Sequence, residues 1–165
     1  KTIMAHCVWP PEKEIQRMKD NGVYVAHCPQ SNTNLSSGIA PVRTYLEQGI
    51  HTGLGTDVAG GAGESVFRAM ADAIQVSKLR WRLVDETLQP LTAEEAFYLG
   101  TKGGGEFFGK AGSFEEGYEL DALVLNDESL KHPQPLSLKE RLERFIYISD
   151  ERHIDAKYAA GSKIF

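Results

Sequence analysis

Residues His51–Gly61, HTGLGTDVAGG, run an apolar approach through Gly53-Leu54-Gly55 and deliver a single carboxylate, Asp57, into a bed of small residues. A solvated loop aspartate needs no such approach, and a core strand would not accept the charge. The segment therefore reads as a strand, Ile50–Gly55, whose carboxyl end holds Asp57 close to something. Upstream, Thr2–His6 and Gly22–His27 are further strand candidates. Between them, Pro10-Pro11 followed by Glu12–Asp20 reads as a helix started by proline and stopped by Asn21-Gly22. Val42–Gln48 reads as a short helix ended by Gly49, with a loop before it. Downstream, Ser65–Leu79 places Val66, Met70, Ala73, Ile74 and Val76 on one face of an amphipathic helix. Strand and helix alternating three times is the parallel βα pattern of the α/β class.

Composition excludes several functions. The chain has 165 residues, 41% hydrophobic and 25% charged, an ordinary globular balance without a disorder signature. Its net charge of -5 is spread among interspersed acids and bases, which argues against nucleic acid or a membrane surface as partner. No apolar stretch approaches the ~18 residues of a membrane span. Two cysteines, Cys7 and Cys28, are too few for a disulfide framework, so a reducing, cytoplasmic setting is expected. The chain opens KTIMAHCVWPPEKEI, with an apolar run at residue 2 and no initiating methionine, and is expected to be a fragment of a longer one.

His6, His27 and Asp57 stand at the carboxyl ends of the three expected strands, where parallel α/β folds and closed (β/α)8 barrels carry their active sites. Alone, a strand-end histidine is more often structural and an aspartate before a helix is often an N-cap. Three polar groups at equivalent positions point instead to a site. The pairs His6-Cys7 and His27-Cys28 suggest a Cys2His2 zinc centre, but neighbours in a strand face opposite ways and there is no C-x-x-C. The cysteines read as small apolar residues beside the histidines.

Three runs carry a resemblance: MAHC, VYVAHCPQSNTNLSSGIAPVRTYLEQGI and TGLGTDVAGG, in this order and at this separation. Together they resemble the second, carboxyl-terminal half of the guanine deaminases, within the amidohydrolase superfamily of metal-dependent (β/α)8 enzymes. LTAEEAFYLGTKGGGEFFG is similar to that superfamily's helix after the last barrel strand, and GSFEEGYELDALVLN to the return of the chain into a small β-sandwich. IDAKYAAGSKIF is similar to the sandwich's closing strand pair. The implied fold is α/β: a partial TIM-type barrel, its last three βα units, at residues 1–108, then part of a composite β-sandwich with a helical segment at 109–165.

The resemblance also implies chemistry. Asp57 matches the aspartate that ligates one Zn2+ and takes the proton of the attacking water. His6 matches a histidine that hydrogen-bonds that water, and His27, Ser31 and Asn32 match the segment that shapes the purine pocket. The implied reaction is hydrolysis of guanine to xanthine and ammonia. The chain has no H-x-H and no other implied zinc ligand, so alone it is expected to hold zinc weakly and to be inactive. Open strand edges imply a homo-oligomer or association with the missing amino-terminal half. The alternatives are another aminopurine, a pterin or a triazine as substrate, or a non-catalytic interaction module. His51, His132 and His153 read as structural or solvated, and KLRWRLVDE as a helix end against a neighbouring subunit. TKGGGEFFG follows a helical run and lacks G-K-[ST], so it is no phosphate loop.

Overall fold

The computed structural model describes all residues, Lys1–Phe165. Three short parallel strands, β1 (Ile3–Ala5), β2 (Tyr24–His27) and β3 (Thr52–Leu54), form one sheet in the order β1-β2-β3. Ile3 pairs with Tyr24 and Val25 with Thr52, so the strands run in step and their carboxyl ends lie at one edge. Helix α1 (Glu12–Asp20) connects β1 to β2. Glu12 and Glu14 occupy its first turn and Arg17 and Lys19 its last, the arrangement that complements the helix dipole.

Helices α2 (Pro29–Asn34) and α3 (Val42–Glu47) connect β2 to β3, and α4 (Val66–Leu83) follows β3. The short α2 has no apolar periodicity and reads as loop in the sequence. It forms because Pro29 enters its first turn, where a missing N–H costs nothing. Helix α4 runs four residues past its apolar stripe: no glycine or proline interrupts it, and Trp81 Nε1 and the Arg82 guanidinium both reach back to Glu86 just beyond its end. These contacts tie the end of α4 to the turn that follows it, while Leu83 and Val84 stay exposed. Helix α5 (Ala93–Tyr98) opens with a capping box between Thr92 and Glu95 and widens into a π-helical turn at Leu99–Gly103. No helix is long and apolar enough to cross a membrane.

Two apolar clusters hold the sheet to its helices. Ile15 and Met18 of α1, Val23, Val25, Tyr45 of α3 and Ile50 form the first. Met70, Ala71, Ala73 and Ile74 of α4 meet Ala93 and Ala96 of α5, Leu99, Ala40, Val42 and Ile146 in the second. Burying one such branched side chain contributes about 1.5–3 kcal/mol. Arg43 ties α3 to α5: its guanidinium grips both Glu95 carboxylate oxygens at 2.7 and 2.6 Å and donates to the carbonyls of Gln89 and Pro90.

The remaining residues build a second, antiparallel sheet from β4 (Ala122–Leu125), β5 (Ile154–Ala159) and β6 (Ser162–Lys163). The β5–β6 hairpin turns through Ala160 and Gly161, both with positive φ, the turn whose twist suits adjoining strands. Helix α6 (Leu138–Ile148), capped by Ser137 and Glu140, lies on α4, with Phe145 edge-on to Phe67 at 4.9 Å. Ile146 thus joins the core of the first part to the second. The outer strand β1 is exposed along its length, Ile3 and Met4 included.

Candidate active site

At the carboxyl edge of the first sheet the chain leaves regular geometry at two places. His6 N–H donates to the Ala26 carbonyl, continuing the ladder, but His6 and Cys7 then adopt positive φ values of 66° and 45°. Asp57 does the same at 48° after β3. Left-handed conformations are unusual for residues with a Cβ and collect where function requires a side chain aimed against local preference. Because Cys7 follows a left-handed His6 beyond the end of β1, simple strand alternation does not govern this pair; both cysteines are nonetheless free, and neither shares a metal-sized cluster with other ligands. The His6–Cys7 turn is held from behind by Tyr45, fully buried, whose hydroxyl donates to the Cys7 carbonyl at 2.5 Å. Burial pushes the Tyr45 phenol well above its ordinary pKa, so it remains a donor.

Four expected site residues converge here. Ser31 Oγ donates to Asp57 Oδ2 at 2.5 Å, and His6 Nε2 faces the same oxygen at 3.8 Å. His6 Nδ1 meets Asn32 Oδ1 at 2.8 Å. With the amide oxygen toward it, the imidazole donates from Nδ1, and neutral His6 keeps its lone pair on Nε2, toward Asp57. Asn32 Nδ2 remains buried without a partner. Ser31 and Asn32 are buried on α2, while His6 and Asp57 are each about 40% exposed at the side chain (40% and 39%), so the reactive atoms open outward from a rigid back wall. Gly60 makes the approach possible: a Cβ there would lie 2.7 Å from both Asp57 Oδ2 and Ser31 Oγ. The small residues after Asp57 therefore do what the sequence suggested.

His27 is placed differently. It shares the strand face of Val25, toward the helical layer, is 1% exposed, and lines a cavity with Ala40, Val42, Ala73 and Arg80. Neither ring nitrogen has a partner. Burial, and secondarily His6, lowers its pKa to about 4, so the ring is neutral near pH 7. Cys28, between His27 and α2, is raised by burial and then by the Asp57 charge, and stays a thiol.

The other histidines have structural roles. His51 Nδ1 meets Glu106 Oε2 at 2.7 Å while its ring stacks on Tyr24 at 4.5 Å, at the opposite end of the strands. His132 is exposed and bonds locally to Gln134. His153 is buried despite its polar surroundings in sequence, with Nε2 2.9 Å from Ser129 Oγ. A nearby Asp150 gives this trio the outline of a Ser-His-Asp triad, but His153 Nδ1 accepts the Asp150 backbone N–H at 3.1 Å. The same Nδ1 lies 3.1 Å from Asp150 Oδ1, so the ring is held by both the backbone and the carboxylate of Asp150 while Nε2 meets Ser129.

The donor chemistry at the strand ends fits one side of a metal shell. A carboxylate and an imidazole nitrogen share one opening, yet no three His, Cys, Asp or Glu side chains cluster as a metal would require. Zinc takes three or four protein ligands, more than these side chains offer by themselves.

Comparison with known proteins gives consistent relatives. The amidohydrolase family model matches residues 1–163. A guanine deaminase of Dictyostelium discoideum is 36% identical over 171 residues, covering 99% of this chain and 38% of that protein. A crystal structure of guanine deaminase from C. acetobutylicum, with guanine bound in its active site, superposes with a TM-score of 0.95 at 51% identity, over 99% of this chain and 39% of that one. An adenosine deaminase from Xanthomonas campestris, crystallised with bound zinc, superposes at 0.82 with 25% identity, over 98% of this chain and 36% of that one. The chain thus spans well under half the length of the relatives it matches.

Proposed function

The chain belongs to the amidohydrolase family, and from that premise we propose that it is the carboxyl-terminal portion of a zinc-dependent guanine deaminase. The reaction is addition of water at C2 of guanine and loss of the exocyclic amine, giving xanthine and ammonia. The observation that carries this reading is the convergence of His6, Ser31, Asn32 and Asp57 on one opening. The likeness to a guanine-bound deaminase over nearly the whole chain supports the choice of substrate. Residues 1–108 form the last three βα units of a (β/α)8 barrel, and residues 109–165 part of a composite β-sandwich.

Each side chain has a distinct task. Asp57 accepts the proton of the attacking water. Ser31, donating to Oδ2, fixes the carboxylate plane and leaves Oδ1 for a ligand. His6 presents an Nε2 lone pair beside Asp57 and can accept a hydrogen bond from the same water, which orients it. Asn32 fixes the His6 ring through Oδ1 from the buried wall behind it. His27 acts from behind the pocket rather than within it. Asp57 is the residue that would hold zinc, which, when bound, makes water nucleophilic near neutral pH. Ligands supplied by the rest of the barrel complete the shell.

The test joins this chain to an amidohydrolase half that carries H-x-H and follows ammonia release from guanine, adenine, a pterin and a triazine. Turnover of guanine above the other three is expected. Preference for any of the others would overturn the substrate assignment, and zinc binding without turnover of any would favour a non-catalytic module.

A further inference from the structure

Behind the catalytic edge, between β2 and α4, lies the narrow cavity that His27 lines. It offers about 20 Å³ to the centre of a water molecule, and roughly 10–15 Å³ suffices for one water provided that two to four polar partners surround it. Those partners are present. Both ring nitrogens of His27 are buried and unsatisfied, and so is Nε of Arg80, which lines the same cavity while its Nη1 donates to the Ile39 carbonyl at 2.7 Å. Unsatisfied buried polar atoms are rare in folded proteins, and a His27 ring nitrogen together with Arg80 Nε, both on residues lining one cavity, call for a common ligand.

We propose that this cavity is a binding site for one ordered water, which bridges His27 to Arg80 and fixes the turn from β2 into α2. The donor and acceptor count suits one water and disfavours a cation. A neutral imidazole presents one N–H and one lone pair, and Arg80 Nε presents an N–H. Water can accept from a donor and give a hydrogen to the ring's lone pair. A cation would face the guanidinium, whereas an anion would require the ring to turn its N–H to the cavity beside the Arg80 Nε–H, the case the bromide experiment below decides. Of the other polar side chains on the wall, Arg43 is held by Glu95, Ser77 by the Ile74 carbonyl and the Leu91 N–H, and Trp81 by the Glu86 carbonyl, so His27 and Arg80 are the ones left with free buried hydrogen-bonding atoms.

The site has a consequence for the opening at the carboxyl edge of the sheet. His27 directly precedes Cys28, the N-cap of α2, and α2 carries Ser31 and Asn32 in its first turns. A ring anchored through water to α4 restrains the start of α2, and with it the contacts to Asp57 and His6. His27 and Arg80 are positioning residues in this scheme. The inference stands on the packing of this chain and is independent of which substrate the site takes.

A crystal structure of the 165-residue chain, finer than about 1.5 Å, tests it. Expected is one water peak in the cavity, within hydrogen-bond distance of a His27 ring nitrogen and of Arg80 Nε. In crystals grown with bromide, no anomalous peak should appear there. An empty cavity, or a bromide peak marking an anion site, would overturn the proposal. The variant Arg80→Met should lose the water and lengthen the Ser31–Asp57 or His6–Asn32 contact, whereas Arg82→Met, exposed on the same helix, should change neither. Arg80→Met with water and contacts intact would refute the bridging role. The unsubstituted crystal decides occupancy even if that variant fails to fold.

Discussion

Acid should unfold this chain through His27, by an amount the structure allows one to work out. The folded-state pKa is lowered from 6.5 to about 4 by burial, with His6 at the end of β1 adding to the effect. Arg43 of α3, paired with Glu95, and Arg80 of α4 line the same cavity, and neither offers the ring an opposite charge. Between these two pKa values the unfolded chain binds the proton and the folded chain does not. Stability is therefore present in full above the unfolded value and falls as pH drops through 6.5 toward 4. The linkage relation gives a loss of about 2 kcal/mol at pH 5 and about 3 kcal/mol once pH lies below both values. Urea unfolding at pH 7 and pH 5, for the chain and for His27→Gln, isolates this part, because Gln cannot titrate while other groups are common to both. The chain should lose about 2 kcal/mol more than the variant over that interval. If the two lose stability in parallel, His27 is either hydrated by bulk solvent or already charged, and the burial argument fails.

Further outcomes follow from the same geometry. The exposed β1 edge, with Ile3 and Met4 outward, should drive the isolated chain into dimers or larger species; light scattering after size exclusion checks this, and a clean monomer that binds no apolar dye would refute it. Dialysed chain should retain little zinc on elemental analysis, since it offers part of a shell; a stoichiometric, chelator-resistant ion would contradict that reading. In a polypeptide completed by the H-x-H half, Gly60→Ala should lower guanine turnover about 100-fold, because its Cβ would press on Asp57 and Ser31 and misplacement by ~1 Å costs that much. Melting temperature should change little, and turnover within twofold of the parent would mean that the cradle is not needed.

Regular periodicity made the first half of the fold legible. Glu12–Asp20 was marked by proline and Asn-Gly at its ends, and the strands by short apolar runs, so elements, order and the shared strand-end edge could be read directly. Helix α2 could not, since six residues of PQSNTN carry no apolar stripe and owe their conformation to Pro29 and tertiary packing. For the site, residue types at strand ends and a family likeness pointed to His6, Ser31, Asn32 and Asp57. Their mutual contacts depend on left-handed backbone at His6 and Asp57, which no side-chain pattern announces. Tyr45 was invisible for a related reason: its hydroxyl meets Cys7 across 38 residues of sequence. The burial of His153 was hidden because its polar neighbours form turns whose side chains satisfy one another around it.

The central claim is that Asp57 is the working carboxylate of a guanine-hydrolysing site. Its most direct test is ammonia release from guanine by the completed polypeptide and by its Asp57→Asn variant, with His51→Asn as a control at the far end of the strands. Asparagine keeps size and hydrogen bonding but removes the charge that would accept the water's proton. Turnover should fall at least ~10²–10⁴-fold, the usual contribution of a positioned general base, while His51→Asn stays near the parent rate. An Asp57→Asn enzyme that turns over guanine at close to the parent rate would contradict the account at its root.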